Sequence, residues 1–189
     1  MYRMIYLLFL ALLLIPAGAA SAALPDMWAS QDIGGPAIAG SADQTAGIWT
    51  VKGSGADIWG TSDQFHYCYM PTSGDVTISA RVVSITNGTH EWTKAGVMIR
   101  ETLNANSTHN YMAMTNNQAG ATAHASSYQG RPSTGAESIN NDLVPAGYTA
   151  LPWYVQLKRV GNNFTGSVSP DGVVWTDVAT RSTTMTASI

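Results

Sequence analysis

Trp92, Lys94 and Arg100 lie at even spacing in the stretch Trp92-Thr93-Lys94-Ala95-Gly96-Val97-Met98-Ile99-Arg100-Glu101. At a strand's two-residue period they share one face with Met98, while Thr93, Ala95, Val97 and Ile99 form the opposite, core-like row. A flat aromatic beside fixed donors suits a sugar, which offers an apolar ring face and a fringe of hydroxyls. His124 and Tyr128 share a face of a later strand-like run. If the two strands are near neighbours in one sheet, these five residues line a single ligand-contacting surface. The competing reading makes Trp92 an edge-packing residue and the two cations solvated charges.

Chemistry beyond binding finds less support. Glycoside hydrolysis needs two carboxylates close together across the scissile bond. The glutamates are Glu91, Glu101 and Glu137, and none has a carboxylate neighbour at strand spacing. No catalytic residue is therefore assigned. Asp57 and Asp63 flank a glycine-containing loop and offer oxygens that calcium would accept, so calcium is the one candidate cofactor. The favoured reading is that each caps a turn through backbone N–H groups. His66, His90, His109 and His124 lack metal-ligand spacing, and no metal site is assigned.

The charge balance narrows the partners. The chain carries 9 basic and 12 acidic residues in 189, with a formal net charge of −3. Nucleic acid, which needs clustered Lys and Arg, is an unfavourable partner. Arg3 followed by the apolar run from Met4 to Ile15, broken at Pro16 and Gly18 before Ala20-Ser21-Ala22, reads as a signal peptide over residues 1–22. That run is shorter than the roughly 20 residues of a membrane-spanning helix. The expectation is a secreted or cell-surface protein that meets a membrane only through this leader. Cys68 is the single cysteine, so stability rests on a hydrophobic core rather than a disulfide.

The positioning elements read as strands throughout. Gly47–Val51, Phe65–Met70, Val76–Ile85, Trp92–Glu101, Tyr111–Thr115, Ala121–Tyr128, Trp153–Val160, Phe164–Val168 and Val173–Trp175 are β-branched or aromatic runs between Gly, Asn and Pro turns. Residues 129–147 lack any period and read as a long loop. Pro170-Asp171-Gly172 is the strongest hairpin signal. The predicted class is all-β, a sandwich or barrel.

Three runs in a fixed order carry a family resemblance: Gly53-Ser54-Gly55-Ala56-Asp57-Ile58-Trp59-Gly60, then Asp63-Gln64-Phe65-His66-Tyr67, then the stretch 92–101. They resemble the concanavalin A-like lectin/glucanase (laminin-G-like) modules related to the "regulation of enolase protein" family. Ser169-Pro170-Asp171-Gly172-Val173-Val174-Trp175 is similar to that group's late hairpin. The resemblance implies a jelly-roll β-sandwich of two curved antiparallel sheets over residues 23–189, C-terminally incomplete because relatives continue for a further strand pair. It also implies a non-catalytic carbohydrate-binding or accessory module of a larger, bacterial extracellular protein, with a polysaccharide or glycan as partner. The alternatives are a glucanase-like glycoside hydrolase and a structural or adhesive module that binds protein.

Overall fold

The computed structural model describes residues 23–88, 90–116 and 125–186. Residues 1–22, expected from sequence to be a signal peptide, and His124 lie outside the described residues.

The protein is all-β. Twelve strands form among the described residues: β1 (Ala29–Ile33), β2 (Ser41–Thr45), β3 (Ile48–Lys52), β4 (Phe65–Tyr69), β5 (Val76–Val82), β6 (Lys94–Arg100), β7 (His109–Thr115), β8 (Ser126–Arg131), β9 (Ile139–Leu143), β10 (Trp153–Val160), β11 (Asn163–Ser169) and β12 (Thr176–Ser182). They pair antiparallel in four sheets, β12-β11-β10-β5, β6-β7-β8-β9, β1-β4 and β2-β3. The two four-stranded sheets face one another and enclose the main core.

Strict alternation is the reason these segments become half-buried strands. In β10, Trp153, Val155 and Leu157 are buried while Lys158 and Val160 are exposed. In β6, Val97 and Ile99 enter the core with Ala95 packed against it, the row read from sequence. Met112 and Met114 of β7, Tyr128 of β8, Val82 of β5 and Phe164 and Val168 of β11 complete that core. β5 contributes Val76 and Ile78 from the same face.

Gly166 is a packing requirement. A Cβ there would come within 2.9 Å of the Met112 sulfur and of the Tyr128 ring, both fully buried. Gly166→Ala is expected to destabilise the fold by about 1–3 kcal/mol through overpacking, read as a lower denaturant midpoint at unchanged slope. A midpoint equal to that of the parent would show that the Tyr128 ring yields freely.

Turn chemistry differs from the sequence expectation in one place. The loop at Pro170-Asp171-Gly172 spans residues 170–175, and β12 begins only at Thr176. The Asp171 carboxylate accepts the backbone N–H groups of Val173 and Val174 at 2.8 and 2.9 Å, building a wider loop than a two-residue hairpin. The two-residue connections are Ala46-Gly47, both at positive φ, and Gly161-Asn162.

One further expectation is overturned, and one strand forms where the sequence marked none. Residues 129–147 hold the end of β8 and all of β9, where Ile139–Leu143 pairs with Gly130–Ser126. β2, Ser41–Thr45, also forms from a polar run.

Candidate functional site

Cross-strand register decides which residues meet. Lys94, Met98 and Arg100 project from the outer face of the β6-β7-β8-β9 sheet, away from the main core. The segment 57–67 lies over that face. Ile58 packs with Met98, Tyr111 and Ala113, and Phe65 and Tyr67 pack against this second, smaller cluster.

At one end of the face, register lines up Arg100 opposite His109, and His109 opposite Arg131. Three neighbouring strands thus place three basic side chains in one row. The carboxylate of Asp63 drops onto that row. Arg131 grips it bidentately, Nη1 to Oδ2 at 2.8 Å and Nη2 to Oδ1 at 2.7 Å. Arg100 adds Nη1 to Oδ2 at 3.0 Å. Asp63, His109 and Arg131 are 0 % exposed and Arg100 is 4 % exposed. The remaining guanidinium donors reach backbone carbonyls: Thr102 and Asn104 from Arg100, and Trp59, Gly60 and Ala136 among others from Arg131. Burial and the two guanidiniums hold His109 neutral, its pKa down at about 4 despite the nearby carboxylate. Burial likewise lowers the Arg100 pKa, and Asp63 partly offsets that.

Asp63 is therefore not a turn cap. Its two oxygens are committed to guanidiniums, because a row of buried cations needs a counter-charge more than a loop needs a cap. Asp57 caps Ile58 N–H at 2.7 Å and pairs with Lys94 Nζ at 2.7 Å. The chain's own cations satisfy both carboxylates that a calcium site would need.

At the other end of the face, Lys94 is anchored. Besides Asp57, its ammonium donates to Gln129 Oε1 at 2.9 Å, and it sits 5.9 Å from the centroid of the half-buried Trp92 ring. The hydroxyls of Thr115 and Ser127 are buried without partners on the same sheet face. Trp59, 39 % exposed, follows Ile58 on the covering segment.

The five sequence candidates thus separate. Trp92 and Lys94 come together. Arg100 does not join them as a ligand contact, since its guanidinium is locked on Asp63. Tyr128 faces the opposite way. Val97 pairs with Met112, and Met112 with Tyr128, so Tyr128 belongs to the core row. It is 0 % exposed, its hydroxyl is 2.9 Å from both Asn110 Oδ1 and the Phe164 carbonyl, and burial raises its pKa. The position of His124 is outside the described residues. Asp57 and Gln129 are the members that sequence reasoning missed.

The comparisons add no relative. No family model matches the chain, and neither the curated proteins nor the solved structures contain a match.

Other groups singled out by sequence have structural partners. His66 Nδ1 lies 2.8 Å from Asp32 Oδ1, and that contact, with Gly40 N–H, holds the Asp32 carboxyl below its ordinary range. Glu101 accepts the Thr186 N–H at 2.9 Å. Cys68 is half-buried, and burial raises its pKa, which opposes thiolate formation. Among the described residues no group of three His, Cys, Asp or Glu side chains is placed to hold a metal.

Proposed function

We propose that this protein is a secreted, non-catalytic carbohydrate-binding or accessory module of a larger extracellular protein. The observation that carries this is the pairing of Trp92 with an immobilised Lys94. The buried ammonium donates to Asp57, Gln129 and the Ile58 carbonyl and so fixes the partly exposed Asp57 carboxylate, which a sugar hydroxyl would meet as an acceptor whose ordering cost is met before binding. The neighbouring indole offers the apolar surface on which a pyranose ring stacks. The resemblance to concanavalin A-like lectin/glucanase modules supports the same reading, and with it a jelly-roll connection of the sheets. The leader at 1–22 supports export.

The test is a polysaccharide-binding panel on the purified protein. One or more glycans are expected to bind without release of reducing ends, and Trp92→Ala is expected to weaken binding at least tenfold, roughly 1.4 kcal/mol. Reducing-sugar release that a single Asp or Glu substitution abolishes would instead establish the glucanase-like alternative. Retention of a protein partner by a chain that binds no glycan would establish the adhesive one.

A further inference from the structure

Asn110 and Arg181 each keep a buried hydrogen-bonding atom with nothing to bond to, and both line the same cleft. The cleft, about 250 Å³, opens at one edge of the sandwich, where β12 passes over the ends of β7, β8 and β9. It lies apart from Trp92 and Lys94, which project from the far side of the β6-β7-β8-β9 sheet. Asn110 is 0 % exposed, and its Nδ2 has no acceptor. The Nη1 of Arg181 is likewise buried and unpartnered.

Arg181 is held in place by everything except a counter-charge. Its guanidinium lies 4.2 Å from the centroid of the Tyr128 ring. Its Nη2 donates to the Tyr128 carbonyl at 2.8 Å and to Asn141 Oδ1 at 2.6 Å. No carboxylate pairs with it among the described residues, although the deeply buried guanidinium pair of Arg100 and Arg131 shares Asp63. Arg181 as a whole is half-buried, but its Nη1 is shut away from solvent without an acceptor, and that cost falls when a ligand supplies an anion.

Gly130 keeps the space open. A Cβ there would stand 3.0 Å from Asn110 Oδ1 and 3.3 Å from Arg181 Nη1. The backbone of Gly130 has no positive φ to require glycine; besides the two cleft atoms, a Cβ would crowd the His109 carbonyl at 3.1 Å. Pro132 and Ile139 supply an apolar wall, and Thr183 a buried hydroxyl-bearing residue. The combination is a cationic donor, an amide donor and an apolar wall in room for one small ring.

We propose that this cleft binds a carboxylate-bearing molecule the size of a single sugar ring, the carboxylate meeting Arg181 Nη1 and Asn110 Nδ2. The carboxylate preference stands on the cleft alone. The choice of a hexuronate as its natural form rests on the glycan-binding reading above.

The test is a calorimetric or NMR titration of the full chain with D-glucuronate, D-glucose and cyclohexanecarboxylate, taken to about 10 mM, tenfold above a millimolar dissociation constant. Glucuronate is expected to bind, and glucose, the same ring without the carboxylate, at least tenfold more weakly. Arg181→Gln and Gly130→Ala are each expected to reduce glucuronate binding at least tenfold. Gly130→Ala removes no bond, so it keeps the test open if Arg181→Gln loosens the packing on Tyr128. Thermal melting of each variant confirms that it is folded. Cyclohexanecarboxylate binding as well as glucuronate would support the cleft and sever it from the glycan reading. Absence of glucuronate binding, equal binding of glucose, or binding that survives both cleft variants would overturn the proposal.

Discussion

Asp63→Asn is expected to lower stability by about 3–5 kcal/mol, the usual cost of removing one partner from a buried ion pair. The change is nearly isosteric, so the loss comes from charge rather than from a cavity. Arg100 and Arg131 would keep their carbonyl acceptors but lose the anion they share, in a site 0–4 % exposed. Against a typical domain stability of about 5–15 kcal/mol this is a large fraction, and it corresponds to a fall in Tm of roughly 6–20 °C. Thermal and denaturant melts of the variant measure it directly. A loss below about 1 kcal/mol would mean that water or rearrangement already compensates the guanidiniums.

The same substitution reaches the candidate sugar surface. Asp63 ties the segment 57–64 to the sheet, and that segment carries Asp57, which holds Lys94. A chain that stays folded with asparagine at 63 is therefore expected to lose ordering of Lys94 as well as stability. A double-mutant cycle of Asp63→Asn with Arg131→Gln separates the pair from its surroundings, and contacting charges of this kind couple by about 0.5–3 kcal/mol.

Period-two patterning carried the strands that bury one face. β6 and β10 were legible because Val97 and Ile99, and Val155 and Leu157, alternate with residues of the opposite face. β2 and β9 were not, because Ser-Ala-Asp-Gln-Thr and Ile-Asn-Asn-Asp-Leu hold little apolar surface. Pairing with β3 and β8 makes them strands, overriding weak intrinsic preference. The site was harder to read for a related reason. Strand parity correctly joined Lys94 to Arg100 on one face of β6, but it cannot relate the faces of different strands. The register Val97–Met112–Tyr128 put Tyr128 on the inner face, and one residue of slip would have put it outside. Asp63 looked like a loop residue because its sequence neighbours are Thr61 and Ser62. Its partners stand 37 and 68 residues later, and nothing local marks that pairing.

His109 is expected to make the fold acid-sensitive between about pH 6.5 and pH 4. Its folded pKa lies at about 4, below the ordinary 6.5, because burial and the guanidiniums of Arg100 and Arg131 oppose a further positive charge. In that window the unfolded chain binds a proton at this position and the folded chain does not, so stability rises with pH. On acidification the contribution is whole above about pH 6.5 and is lost progressively as pH falls toward 4. The full difference is about 3 kcal/mol, because each tenfold change in proton affinity is worth about 1.4 kcal/mol. Asp63, 3.6 Å from His109 Nδ1, moderates the loss by favouring the imidazolium, and Nε2 has no partner to accept its proton. His109→Gln removes the titrating group while keeping a polar side chain in the row. Denaturant melts at intervals from pH 7 to pH 4 should therefore show a shallower acid slope for the variant than for the parent, by up to about 3 kcal/mol across the window. Parallel slopes would show that the acid dependence originates elsewhere in the chain.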